Sequence, residues 1–240
     1  MKFSIIIPAR NEEKLIPKCL DSIKIASVPY PGEVETIVCI NRCTDKTEDI
    51  ARSYGAKIVH TDAKNLAKIR NTAAATATGE IIVTIDADCW MAPNLLTEIE
   101  KALSIGKYIG GGVNMKTDRV SFGILISAIA LFFTLGLVML YHRISGGSFW
   151  CYRKDFEAIH GFDERFYSSE DLDFAKRLKS YGKTQGKQFK TLWKTHIIAS
   201  SRKGESLGDW YLLKHPTMIF KLLGGKNQDA ANKFYYDCKH

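Results

Sequence analysis

Apolar residues in the first part of the chain arrive in short runs broken by polar loops, and the period changes from run to run. Phe3 to Ile7 is a strand-length apolar run closed by Pro8. The polar loop Pro8-Ala9-Arg10-Asn11-Glu12-Glu13 follows, and then Leu15, Cys19 and Ile23 recur at four-residue spacing. That order predicts strand, loop and helix. Val34 to Ile40 is a second β-branched run, Asn41 to Lys46 a turn-rich loop, and Thr47 to Tyr54 a helical stretch ended by Gly55. Lys57 to His60 suits a third strand, Lys64 to Thr78 an Ala-rich helix stopped by Gly79, and Ile81 to Ile85 a fourth strand. Strands alternating with helices in this way predict a mainly parallel sheet covered on both faces. In such sheets ligands bind beyond the carboxyl ends of the strands.

The polar loops fall at those ends. Strand one runs into PARNEE, strand two into Asn41-Arg42-Cys43-Thr44-Asp45, and strand four into Asp86-Ala87-Asp88. Taken singly, Thr44 and Asp45 serve equally well as helix caps, and Glu12 as a first-turn acid facing the helix dipole. Asp86 and Asp88 say more. Two carboxylates at alternate positions after an apolar strand make a hard, oxygen-rich site suited to Mg²⁺ or Mn²⁺ shared with a substrate diphosphate.

Composition removes other classes. With 45% hydrophobic and 25% charged residues over 240 positions, the chain has an ordinary globular make-up, and its length allows a full core without disulfide or metal staples. The six cysteines are scattered, with no C-x-x-C pair and no His at zinc-finger spacing, which points to a reducing compartment. The N-terminal apolar stretch is too short for a signal-peptide core, so a cytoplasmic location is expected. The net charge of +8 is uneven: residues 141–240 carry 18 Lys and Arg against 11 Asp and Glu, and nine basic residues with no acid lie between Phe174 and Gly204. Such a field attracts phosphates. The stretch has no nucleic-acid recognition motif and few interleaved aromatics, so a nucleic-acid partner is not expected.

The run Ser4-Ile5-Ile6-Ile7-Pro8-Ala9-Arg10-Asn11-Glu12-Glu13, the loop Asn41 to Thr47, Ala77-Thr78-Gly79-Glu80 leading into Asp86-Ala87-Asp88, Gly146-Gly147, Gly161-Phe162-Asp163-Glu164 and Ser169-Glu170-Asp171-Leu172-Asp173 occur in that order. Together they resemble the family 2 glycosyltransferases of the GT-A fold, over residues 3 to about 203. The resemblance implies an α/β, Rossmann-like domain and an inverting transfer of a sugar from a nucleotide-diphosphate donor to a hydroxyl acceptor. Carried over by position, Pro8, Ala9 and Glu12 would line the base and ribose pocket, with Asn41 or Asp45 helping. The family often has Asp where this chain has Asn41. Asp86 would meet the ribose or sugar, Asp88 would hold the divalent metal, and Asp171 would be the general base. In the late basic region the resemblance implies His196 as a third metal ligand and Arg202 and Lys203 closing over the diphosphate. His196 is equally readable as a hydrogen-bonded structural residue, and Glu170 and Asp171 as first-turn helix acids. Lys64, Lys68 and Arg70 are candidate donor contacts or a solvated helix face. Gly110-Gly111-Gly112 and Gly146-Gly147 either let backbone approach the sugar or mark strand bulges.

One segment breaks the pattern. Val120 to Tyr141 is 22 residues without a charged side chain, long enough to cross a bilayer. A single crossing would separate Asp88 from Asp171, which the implied mechanism needs around one substrate. The segment is therefore expected to be a helical insertion that lies at a membrane surface, re-enters, or packs against protein, including a second copy through its small-residue stripe Gly123, Ser127, Ala130 and Thr134. Trp210 to Leu223 mixes aromatics, aliphatics and lysines as membrane-surface helices do. The expected organisation is a GT-A-like domain over residues 1–204 with its hydrophobic insertion at 120–141, then an amphipathic helical tail over 205–240. A peripheral place on the cytoplasmic membrane and a lipid-linked acceptor follow from it. Two alternatives stand beside this reading: a non-catalytic nucleotide-sugar-binding or membrane-associated module of the same fold, and a nucleotidyltransferase, which the acidic, glycine-free PARNEE loop disfavours.

Overall fold

The computed structural model describes residues 1–119, 147–202 and 224–229. The expectations for Val120 to Tyr141, Gly146, Lys203, Trp210 to Leu223 and most of the 205–240 tail lie outside these residues. Among the described residues no helix is long and apolar enough to cross a membrane.

An eight-stranded sheet organises the chain, in the order β3-β2-β1-β4-β7-β6-β8-β5. Its first half is the predicted alternation: β1 (Phe3–Ala9), α1 (Ile16–Ser27), β2 (Val34–Ile40), α2 (Thr47–Ser53), β3 (Lys57–His60), α3 (Leu66–Ala74) and β4 (Ile81–Thr84). β1 pairs in parallel with β2 and β4, and β2 with β3. These strands are apolar at successive positions because both faces are covered. Ile5, Ile7, Ile81 and Val83 enter one core with α1, whereas Ile6, Ile37 and Ile82 enter the other with α3. Period-two geometry sends neighbours to opposite cores.

The second half departs from simple alternation. β5 (Cys89–Met91), α4 (Leu95–Ser104), β6 (Tyr108–Thr117), β7 (Phe149–Tyr152), α5 (Arg153–Ala158), α6 (Glu170–Thr184) and β8 (Gln188–Ala199) follow. β7 runs antiparallel to both β4 and β6, β6 pairs in parallel with β8, and β5 lies antiparallel on the outer edge. The sheet remains mostly parallel, as expected. Gly110 and Gly111 sit where β7 and β8 crowd β6: a Cβ would lie 2.4 Å from the Trp150 carbonyl oxygen in the first case and 1.6 Å from that of Lys190 in the second. Their close approach is strand to strand.

α3 is shorter than the Ala-rich run suggested. It starts at Leu66 because extended Asn65 caps it, its side chain accepting the Lys68 N–H at 2.9 Å. It ends at Ala74 because the chain must turn into β4, and that turn is held by Glu35, which accepts the N–H groups of Thr78 and Gly79 at 2.6 and 3.0 Å.

Candidate active site

The loops that leave β1 and β2 are fastened to each other. The Asp45 carboxylate accepts the Glu13 N–H at 3.0 Å and both the N–H and hydroxyl of Thr47, at 3.0 and 2.6 Å. Thr47 Oγ1 in turn accepts the Glu12 N–H at 2.7 Å. Burial would push the Asp45 carboxyl up, but these donors win and hold it below its ordinary value. Asn11, at φ +52°, takes the Thr44 N–H on Oδ1 at 2.8 Å. Asp45 is thus a brace beneath the loops and is not among the residues lining the cleft they border.

That cleft, of about 220 Å³, is lined by Pro8, Ala9, Arg10 and Glu12 from β1 and its loop, and by Asn41 from the end of β2. Leu66, Ile69 and Arg70 of α3 line it as well, with Asp86, Ala87 and Asp88 beyond β4. Gly147, Tyr167, Ser169, Glu170 and Asp171 close the far side. Glu12, Asn41, Arg70, Asp86, Asp88 and Asp171 are therefore brought together from five separate stretches of chain.

Asn41 is 1% exposed, and its amide is committed on one side. Nδ2 donates to the carbonyls of Thr61 and Ala63 at 2.8 and 2.9 Å, so both N–H bonds are spent on backbone and the orientation of the amide is fixed by partners that only accept. Oδ1, which Arg42 Nη2 approaches at 3.5 Å, keeps a lone pair with which to accept from a ligand.

Arg70 is the electrostatic centre. It is 3% exposed, and its guanidinium donates to Asp86 Oδ1 at 2.8 Å and to Glu170 Oε1 at 2.7 Å. Burial would lower its pKa, but the charges of Asp86 and Glu170 outweigh that and raise it. Glu170 is pushed up, because burial outweighs the Arg70 charge and Asp171 and Asp86 add to the rise. The ion pairs tie the end of β4 to the first turn of α6. Asp171, the next residue, accepts the Gly147 N–H on Oδ2 at 3.2 Å and the Leu172 N–H on Oδ1 at 2.8 Å.

Asp88 is buried to 8% exposure, and its carbonyl accepts the Ser200 N–H at 2.9 Å, which brings the end of β8 to the cleft. Arg202, just beyond, reaches Glu12 Oε1 at 2.6 Å. His196 is placed elsewhere. It sits within β8 opposite Asn114, four residues before Ser200, or about 13 Å back along the strand. It is not among the cleft-lining residues. Burial and then Lys116 lower its pKa. Among the described residues no three His, Cys, Asp or Glu side chains converge as a metal cage. Cys19 and Cys89, near Asp86 and Asp88, are pushed up in pKa chiefly by burial, so neither is an activated nucleophile.

Residues 4–157 match the family model described as glycosyl transferase family 2, and residues 132–202 match one described as the N-terminal domain of galactosyltransferase. The chain belongs to glycosyl transferase family 2. Among curated relatives of this family 2 chain is the poly(ribitol-phosphate) beta-N-acetylglucosaminyltransferase TarS of Staphylococcus aureus, 32% identical over 105 residues, covering 41% of this chain and 18% of TarS. The chain spans roughly a fifth to a quarter of the length of the curated relatives it matches. The crystal structure of TarS 1-349 in complex with UDP-GlcNAc aligns over 98% of this chain and 70% of that one, with a TM-score of 0.66 at 21% identity. A mannosyltransferase of Pyrobaculum calidifontis in complex with GDP-Man and Mn²⁺ aligns over 98% and 70%, with a TM-score of 0.61 at 18% identity. At these identities the structural likeness is one of fold.

Sequence reasoning did not single out Tyr167 or Leu66; it weighed Gly147 as a backbone approach to the sugar or a strand bulge, and it placed Ser169 and Glu170 in the motif around Asp171 without a role of their own. A signal existed for the role of Arg70. Leu66, Ala67, Ala73 and Ala74 stand three or four positions away, so the arginine lies inside the apolar stripe of its helix, where a charge needs a buried partner.

Proposed function

We propose that this chain transfers a sugar from a nucleotide-diphosphate sugar to a hydroxyl acceptor by a single inverting displacement, with Asp171 as general base. The observation that carries this reading is the convergence in one cleft of the β1 and β2 loops, the Asp86-Ala87-Asp88 strand end and the Glu170-Asp171 helix start. Pro8, Ala9, Glu12 and Asn41 receive base and ribose, and the Asn41 acceptor faces an N–H of the base. Asp86, braced by Arg70, meets the ribose or sugar. The acceptor hydroxyl gives its proton to Asp171 as its oxygen attacks the anomeric carbon, and the bond from that carbon to the diphosphate oxygen breaks on the opposite face. In this reading Arg202 exchanges its Glu12 partner for the diphosphate.

Asp86 and Asp88 fit a divalent cation by their chemistry: Mg²⁺ and Mn²⁺ take hard oxygens, commonly one or two carboxylates completed by substrate phosphate and water. The absence of a three-residue cage among the described residues agrees with such a shared site. A cation there would supply Lewis-acid stabilisation to the leaving diphosphate. Asp88 is the protein ligand of this reading; His196, on β8, stands apart from it. The donor complexes of TarS and of the mannosyltransferase support a nucleotide-sugar partner, and the latter supports a metal. The uncharged Val120 to Tyr141 segment and the Trp210 to Leu223 segment support a place at the membrane surface, with a membrane-proximal acceptor.

The test is calorimetric titration of UDP, GDP and their sugars into the chain with and without Mn²⁺, with Asp88→Ala beside it. Metal-dependent binding that Asp88→Ala loses is expected. Absence of binding by any nucleotide under either condition would overturn the reading.

A further inference from the structure

The stretch between α5 and α6 supplies Tyr167 and Ser169 to the cleft and leads directly into Glu170 and Asp171. Asn71 and Arg177 hold its start, and two further fastenings lie beside Tyr167. From α3, Asn65 Nδ2 donates to the carbonyls of Glu164 and Phe166 at 2.8 and 3.1 Å. The second fastening comes from the tail: the carbonyl of Gly225 accepts the N–H of Tyr167 at 2.7 Å and that of Ser168 at 3.2 Å.

This contact is made for a glycine. Gly225 is buried and has φ +72°, a conformation that strains other residues, and a Cβ there would lie 2.4 Å from Phe166 Cδ1 and 2.8 Å from the Ser168 carbonyl oxygen. Lys226 continues the contact, its ammonium 5.8 Å from the Phe166 ring centroid. Immediately after the two captured N–H groups comes Ser169 at φ +57°, a left-handed conformation that a non-glycine residue keeps only when its surroundings impose it. The strained residue is thus bracketed by the tail contact on one side and by the Arg70–Glu170 ion pair on the other.

We infer that Gly225 is a positioning residue for the reaction: by capturing Tyr167 and Ser168 it holds the turn at Ser169 that aims Asp171 and sets the Tyr167 wall. The inference rests on the reading of Asp171 as the base. It gives the tail a part in catalysis that no residue of the nucleotide pocket reveals. The three atoms nearest a Cβ built at Gly225 belong to Phe166 and Ser168, in the stretch that leads to Asp171.

The experiment compares the full chain with Gly225→Ala and, as control, the exposed neighbour Gly224→Ala. Amide exchange is followed by mass spectrometry over residues 163–172, nucleotide affinity by calorimetry, and kcat and KM by donor turnover. For Gly225→Ala, exchange at Tyr167 and Ser168 is expected to rise about tenfold or more, nucleotide Kd to stay within about twofold, and kcat to fall about tenfold or more. Gly224→Ala should match wild type. Should Gly225→Ala fail to fold, Gly225→Asn, which tolerates positive φ but still adds a Cβ, gives the same comparison. Unchanged exchange, or raised exchange with unchanged kcat, in a chain that binds nucleotide would overturn this inference alone. A wild-type chain that binds no nucleotide would overturn the donor reading instead, and with it the catalytic half of this inference.

Discussion

Arg70 shows how one residue joins distant parts of the site. Its two carboxylate partners belong to β4's end and α6's start; Arg70 and Glu170 are withdrawn from water, whereas the Asp86 side chain keeps 36% exposure to the cleft. Removing one member of such a cluster leaves an uncompensated buried charge. Arg70→Ala is therefore expected to lose about 3–5 kcal/mol in urea unfolding, with Arg70→Lys recovering only part because it lacks the two-pronged geometry. Asn41 makes a prediction about specificity. Its remaining acceptor matches the ring N–H of uracil or guanine and opposes the ring acceptors of cytosine and adenine. UDP and GDP should bind about 10- to 100-fold more tightly than CDP and ADP in calorimetry, the cost of an unmade buried hydrogen bond. Away from the cleft, Asp155 is buried, with Oδ2 lacking a hydrogen-bond partner among the described residues, and burial raises its pKa. A raised folded-state pKa means the folded chain holds the proton more tightly, so this group's contribution is full below the unfolded value and declines as pH rises through the folded one. Asp155→Asn should accordingly gain stability near pH 7, with the gain shrinking on acidification, measured by thermal unfolding across pH. Pro8, Ala9, Glu12, Asn41, Asp86, Asp88 and Asp171 were singled out from the sequence and all line one cleft. Asp45 and His196 were singled out too but stand outside it, because a motif gives order along the chain and not the direction in which a side chain projects.

The elements of the parallel half follow from local pattern, and their ends are set by specific side chains. Glu35 on β2 joins three of them through one oxygen, accepting from the Ser4 hydroxyl of β1 and from the Thr78 and Gly79 amides that lead into β4. Burial would raise its pKa, but these hydrogen bonds, led by Ser4, hold it below 4.5. The sign is opposite to that of Asp155: stability from Glu35 is present above the unfolded value and is lost as pH falls through the folded one. Glu35→Gln should cost about 1 kcal/mol near neutral pH, by exchanging a charged acceptor for a neutral one at the Ser4, Thr78 and Gly79 donors, and should flatten the acid limb of the stability profile. The antiparallel half was not legible as elements. β5 is three residues long and β7 four, too short for a period to show, and β8 carries a register shift near Trp193 that breaks its alternation.

At the scale of the whole molecule, charge and hydrophobicity are divided along the chain. The basic excess lies after residue 141 and the longest uncharged stretch is Val120 to Tyr141. The membrane proposal predicts that the chain co-sediments with vesicles containing anionic lipid. Replacing Val120 to Tyr141 by a polar linker should remove that sedimentation while leaving nucleotide binding intact. Equal sedimentation of both chains, or none by either, would sink the proposal.

By itself the sequence determined the repeated strand and helix pattern, the mostly parallel sheet, the loops at its carboxyl ends and the family. Those properties are written in local periodicity and in short motifs, which need no knowledge of what lies across the sheet. Tertiary structure alone decided that Arg70 is shared between Asp86 and Glu170, that the Asn41 amide spends both its N–H bonds on backbone, that His196 lies outside the cleft that Asp88 lines, and that Gly225 returns to hold the turn before Asp171. Each of these joins residues that are remote in the chain or depends on which way a side chain is turned. Such relations follow from packing and hydrogen-bond satisfaction in three dimensions, which no window of sequence contains.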